Sequence, residues 1–197
     1  MPSDKLVLGF DTSAAHCAAA LLSGDRVLAA TAEDMGRGQA ERLIPMLEAL
    51  LTQAGKGWTD LSAIGVGIGP GNFTGIRISV AAARGLALAL AIPARGVDSF
   101  DATALGHAGS CLPTLPAPRG QIYLRLPGQA PTLAPAGTAT AHGLPVLTPP
   151  TPARLAENIA RIAATGGGCV PAAPLYVRPA DAAPSRMPPP VLLADDA

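Results

Sequence analysis

Aromatic residues are scarce in this chain, with three Phe, two Tyr and one Trp among 197 residues. A core built without rings has to be filled by Leu, Val, Ile and closely packed Ala. Lysine is almost missing (Lys5 and Lys56), and the 14 Lys and Arg are balanced by 14 Asp and Glu. Without a basic excess or stacking platforms, the chain is not equipped to bind RNA or DNA on its own. Charged residues make up 14% of the chain, against ~25% in an average globular protein. Either a partner covers much of the surface or that surface is small and weakly polar. Cys17, Cys111 and Cys169 lie far apart with no CxxC, which excludes a zinc ribbon or disulfide framework. HExxH and GxSxG are absent, and His16, His107 and His142 are scattered, so each reads as structural or solvated and no metal site is expected. No pair of acids has the spacing of an acid–base couple. The first apolar run stops at Asp11, unlike a signal peptide, and the longest uncharged stretch, 126–153, is broken by prolines. A soluble cytoplasmic protein that makes no membrane contact is the default expectation.

What is present divides the chain. Four of its 21 prolines precede Leu112 and 17 follow it. Regular α/β structure is expected in a first subdomain, 1–98, and shorter elements joined by stiff loops in a second, 99–197. Residues 6–11, 17–22 and 27–32 read as an antiparallel meander, with Gly24-Asp25 as its second turn. A helix follows over 42–53, carrying Leu43, Leu47 and Leu50 on one stripe. Pro45 must lie in its first turn or kink it. Residues 64–68 give a strand, and a glycine-rich turn opens a helix over 75–91. Residues 94–97 give another strand, Ser99 is a plausible N-cap for a helix through His107, and 121–126 reads as a strand. Thr151-Pro152 starts a last helix that Gly166 closes. Residues 181–197 read as an irregular tail.

Two segments could carry chemistry. The turn Asp11-Thr12-Ser13 offers a carboxylate, two hydroxyls and backbone N–H groups, which can hold a phosphate or a metal-bound water or merely satisfy the turn itself. The segment Gly69-Pro70-Gly71-Asn72-Phe73-Thr74-Gly75 places glycines between a strand and a helix N-terminus, a geometry that suits an anion. It fits neither GxGxxG nor a P-loop, for want of the third glycine and of a lysine. Phosphate contacts, if made, fall to Asp11, Thr12, Ser13, Gly69, Gly71 and Thr74; the alternative is a loop in which glycine allows tight packing. The helix that follows is apolar nearly all round, with a ridge of Ile78, Ala82, Gly85 and Ala89 and a charged edge of only Arg77 and Arg84. A subunit interface made by this ridge and the Leu43/Leu47/Leu50 stripe is the expectation; the alternative is a helix buried in its own chain. Cys17 reads as an apolar strand residue rather than a nucleophile.

Leu-Gly-Phe-Asp-Thr-Ser (8–13), Glu-Arg-Leu-Ile-Pro-Met (41–46) and Gly-Pro-Gly-Asn-Phe-Thr-Gly-Ile-Arg (69–77) resemble the signature segments of the TsaB/YeaZ family. Ala-Arg-Gly-Val-Asp-Ser (94–99) and Pro-Leu-Tyr-Val-Arg (174–178) fit the same pattern. The resemblance implies an α/β fold of the actin-like ATPase type (ribonuclease H-like, as in sugar kinases, Hsp70 and actin), with a reduced second subdomain. It implies a part in forming N6-threonylcarbamoyladenosine at position 37 of tRNAs that read codons beginning with A. In that family the protein is a non-catalytic paralogue of the transferase TsaD and pairs with it through two helices, here 42–53 and 76–91. The ATPase TsaE joins the complex, which uses ATP and Mg, and tRNA is met only through the complex. A homodimer through the same helices is a further implication. The paralogue's HxxxH metal pair has no counterpart here. Gln39 stands where the family often has His, and Pro-Ala-Pro-Arg-Gly-Gln-Ile-Tyr (116–123) replaces a more acidic segment. Rival readings are a metallopeptidase or kinase-like enzyme, and a homodimeric nucleotide-binding module.

Overall fold

Period-two alternation in the first strand, β1 (Leu6–Asp11), sends Leu6, Leu8 and Phe10 to one side of a sheet and Val7 and Gly9 to the other. The computed structural model describes residues 5–177; the expected tail at 181–197 and Arg178 lie outside them. Strands β2 (His16–Ser23) and β3 (Arg26–Asp34) continue as the expected antiparallel meander. Helix α1 (Gln39–Gln53), strand β4 (Ala63–Gly67), helix α2 (Phe73–Leu90), strand β5 (Ala94–Val97) and the short helix α3 (Ser99–Ala104) follow. Then come β6 (Leu112–Ala117), β7 (Gln121–Leu124), β8 (Thr132–Pro135), β9 (Val146–Leu147), α4 (Pro152–Thr165) and β10 (Val170–Pro171).

The strands form two sheets, a larger one in the order β10-β5-β4-β1-β2-β3 and a smaller one in the order β8-β7-β6-β9. In the larger sheet β1, β4 and β5 run parallel and β2 runs against β1. Helices cover both of its faces. On one side Leu43, Met46, Leu47, Leu50 and Leu51 of α1 and Ile76, Val80 and Ala83 of α2 bury against Leu8, Phe10, Leu21, Ile64 and Val66. The opposite face takes α4, whose Ala156, Ala160 and Ala163 meet Val7, Ala18, Ala20, Leu22 and Ala63. Gly9 and Gly65, paired across β1 and β4, make that approach possible. A Cβ on Gly9 would stand 2.6 Å from the Ala156 carbonyl oxygen, and one on Gly65 2.7 Å from Ala163 Cβ.

Several local expectations change. Helix α1 begins at Gln39 behind Gly38, which adopts φ 92°, so Pro45 lies beyond the first turn, on the exposed side where its missing N–H is least costly. The N-cap of α3 is Asp98 rather than Ser99; its carboxylate accepts from Asp101 N at 2.9 Å. Strand β7 stops at Leu124. The last helix is capped as expected, with Thr151 accepting from Arg154 N and Gly166 left-handed at φ 72°. Helix α4 and strand β10 lie beyond residue 98 in sequence, yet both pack on the larger sheet. The packing unit therefore does not follow a cut at 98/99: the chain leaves to build the small sheet and returns to close the large one. Among the described residues one helix, α2, is long and apolar enough to cross a membrane, with mean hydropathy 1.4. Here its inward stripe is core, and Ser79 Oγ ties it to the Gly67 carbonyl at 3.1 Å.

Candidate functional site

At the end of β1 the chain must leave the sheet, and it does so through Asp11, Thr12 and Ser13, all buried. Asp11 Oδ2 is the hub: it accepts from Ser13 N at 3.0 Å and Ser13 Oγ at 2.9 Å, and His16 Nε2 lies 2.7 Å away. Thr12 Oγ1 donates to the Gly75 carbonyl at 2.7 Å, and Asn72 N donates to the Ser13 carbonyl at 2.6 Å. Asn72 caps α2 by accepting from Gly75 N at 2.8 Å. The turn and the glycine-rich loop thus meet, as one site requires.

They meet by seating on each other. A Cβ on Gly67 would collide with the Asp11 carboxylate, one on Gly71 with the Ser13 carbonyl, and one on Gly75 with the Thr12 carbonyl. Glycine is required here for close approach between two pieces of the same chain. The six residues to which phosphate contacts were assigned lie as follows. Asp11 and Thr12 are fully buried and Ser13 is 4% exposed, Gly69 carries φ 95° within a buried stretch, and only Gly71 and Thr74 have surface. Within the chain these groups hold the turn against α2. One atom is left over, Asp11 Oδ1, buried without a partner among the described residues.

The expected interface residues also separate into two sets. Leu43, Leu47 and Leu50 are at most 1% exposed and belong to the core of their own chain, so they cannot meet a partner. The Leu stripe is the inward face of α1. The α2 ridge does reach the surface: Gly85 and Ala89 are exposed, and Ile78 and Ala82 are half-buried. Ile44 of α1, beside the expected stripe, and Leu88 of α2, which the expectation did not include, are exposed at 36% and 85%. Leu88 could have been found, since it is a large apolar residue one turn beyond Arg84 on the edge taken to be charged.

Charge is organised at the seams. Arg125 joins Asp98, at 2.8 Å, to Asp101 and lies 5.1 Å from the Phe100 ring centroid, tying the small sheet to α3. Burial pushes the Asp98 carboxyl above the usual range and the Asp101 charge adds to this, while the Asp101 N–H and Arg125 work the other way. Arg42 of α1 pairs with Glu33 of β3; that hydrogen bond is the main reason the Glu33 carboxyl is held low. Arg77 stacks on Phe73 at 3.9 Å and donates to Tyr176 Oη at 2.8 Å, fastening the end of the described chain to the start of α2. Burial, with Glu33 and Asp11 adding to it, pushes the Cys17 thiol up to about 11, which suits an inert strand residue. No group of three or more His, Cys, Asp or Glu is placed to hold a metal ion among the described residues.

Known proteins resemble this chain in sequence and fold. A family model described as "TsaD: tRNA N6-adenosine threonylcarbamoyltransferase" matches residues 31–129. TsaB of Escherichia coli, a "tRNA threonylcarbamoyladenosine biosynthesis protein", is 35% identical over 122 residues, covering 59% of this chain and 52% of its own. An uncharacterized protein of Mycobacterium tuberculosis is 37% identical over 172 residues, 75% of this chain and 79% of its own. YeaZ from Pseudomonas aeruginosa superposes with a TM-score of 0.68 at 26% identity, over 87% of this chain and 99% of that one. The chain belongs to the TsaB/YeaZ family. It spans 52% of the E. coli TsaB and 56% of a Mycobacterium leprae relative, about half the length of each. With TsaB/YeaZ membership and the strand order of the larger sheet, the expected actin-like, ribonuclease H-like α/β fold is borne out.

Proposed function

We propose that this TsaB/YeaZ chain is a non-catalytic scaffold subunit in the formation of N6-threonylcarbamoyladenosine at position 37 of tRNA. In this reading it works in the cytoplasm and docks on TsaD through the outer faces of α1 and α2. The observation that carries the reading is the apolar surface of those two helices, with Ile44, Leu88, Gly85 and Ala89 exposed beside half-buried Ile78 and Ala82. Small residues let a second helix pair approach closely, and burial of the larger ones supplies ~25 cal/mol per Å² before association costs are subtracted. A scaffold rather than an enzyme is supported by the Asp11 turn, whose reactive groups are bonded to their own chain. The family resemblance extends the assembly to TsaE, with tRNA met only through the complex.

Gly85→Arg tests the docking face. Nothing lies within 4 Å of a Cβ built at Gly85, so the lone chain accepts the substitution while a long cation stands in the contact. Co-purification with TsaD is expected to be lost while the melting curve of the isolated chain is kept. Survival of the complex would assign the contact to another face.

A further inference from the structure

A groove of about 750 Å³ runs between the second half of α2, the start of β5 and β10, the edge strand of the larger sheet. Leu88, Ile92, Ala94, Pro171 and Ala172 make its walls apolar, and Arg84 is its one charged lining residue. Leu88 is 85% exposed. Arg84 is exposed too and makes no ion pair among the described residues. An apolar groove with an unpaired cation in its lining fits a short apolar run that is followed by acids.

The chain carries such a run in the segment outside the described residues, where Val191-Leu192-Leu193 precedes Asp195 and Asp196. The described chain ends at Val177. Just before it, Tyr176 is held at the start of α2, stacked on Phe73 at 4.8 Å and accepting from Arg77 Nε at 2.8 Å. From Arg77 to Leu88 along the same helix is roughly 17 Å, at ~1.5 Å per residue. Residues 178–190, with prolines at 179, 184, 188, 189 and 190, can span ~40 Å at ~3.1 Å per residue. The reach is ample even with a reversal of direction. A segment tethered this closely acts at an effective concentration of about millimolar, which a partner free in solution does not match.

We propose that residues 191–193 of this same chain seat in the groove against Leu88 and Ile92, with Asp195 and Asp196 meeting Arg84. The seat covers Leu88 in the isolated chain. Together with the docking reading above, on which this part rests, the segment competes with TsaD for α2 and must leave before TsaD docks.

The test is methyl-labelled NMR of the full chain. Nuclear Overhauser contacts are expected between the methyls of Leu88 or Ile92 and those of Val191, Leu192 or Leu193, unchanged on dilution. Arg84→Glu is expected to weaken them, and Asp195→Lys with Asp196→Lys in the same chain to restore them; Arg84 is exposed, so its reversal leaves the core untouched. Leu192→Ser with Leu193→Ser is expected to shift the amides of Gly85, Leu88 and Ala172, all remote in sequence. Absence of the contacts, contacts that fade on dilution because a second copy supplies the segment, or amide shifts confined to the neighbours of the substitutions would each overturn the seat. The competition is read by titrating TsaD. The Leu192→Ser/Leu193→Ser chain is expected to bind it about tenfold more tightly if the seat is occupied about 90% of the time, and equal affinity would overturn the competition. Failure of both chains to bind TsaD would overturn the docking reading and the competition with it, while the contacts in the isolated chain still decide the seat.

Discussion

The two faces of the larger sheet use small residues for opposite purposes. On the α4 side, Ala156, Ala160 and Ala163 point inward onto Gly9 and Gly65, and the close approach is completed within the chain. On the α1/α2 side the inward stripes are mainly large and buried, while Gly85 and Ala89 of α2 lie exposed and Ala82 half-buried. The difference teaches that a ridge of small side chains marks a place of close approach without saying who approaches. The answer depends on whether the facing backbone is bare, as at Gly9 and Gly65, or absent.

That contrast can be broken most severely at its sealed side. Gly65→Val would drive a branched side chain into Ala163 and the Ile159 backbone. A loss of ~3 kcal/mol or more, or failure to fold, is expected in denaturant melts. Next in size is Leu47→Ala on the buried stripe of α1, expected to cost ~2–5 kcal/mol. Ile44→Ala on the same helix should stay within about 0.5 kcal/mol, and equal effects of the two would erase the distinction between the faces. Cys17 gives a smaller, pH-dependent effect. Its folded thiol is raised from 9.0 to about 11, so the fold favours the neutral form. Stability from this group is intact below pH 9 and falls as pH rises toward 11. Urea melts should show Cys17→Ala losing less stability over that window, and a thiol reagent should reach Cys111 long before Cys17. Gly85→Ala should act in the other direction, a gain of up to ~1 kcal/mol from helix propensity at an open site.

The sequence was most legible where one pattern had one meaning. The meander, the strands at 64–68 and 94–97 and the capped final helix were all readable because alternation, glycine and proline agreed there. The small sheet was obscured by its own prolines. Pro113 and Pro116 sit inside β6, where proline ordinarily argues against a strand. Pro116 pairs only with Ile122 of β7, since β9 reaches no further than Pro113. For the candidate site, the two segments were readable but their relation was not. Glycine next to a carboxylate and hydroxyls is compatible with receiving an anion or a neighbouring turn, and only the third dimension shows Gly67, Gly71 and Gly75 taken up by Asp11, Ser13 and Thr12. His16 was readable as structural, but its partner Asp11 was not, because that partner is reached around a turn rather than along a strand face. The Leu stripe of α1 was found with its direction reversed, because an amphipathic helix shows an oily side without saying whether its own sheet or another protein lies beneath.

The late return of α4 has a consequence for how the protein is made. When Val97 leaves the ribosome, five strands of the sheet exist, but the face that α4 will cover is still bare. At ~5–20 residues per second, several seconds pass before Thr165 emerges. Through that interval the nascent chain displays an alanine- and valine-lined sheet face to solvent.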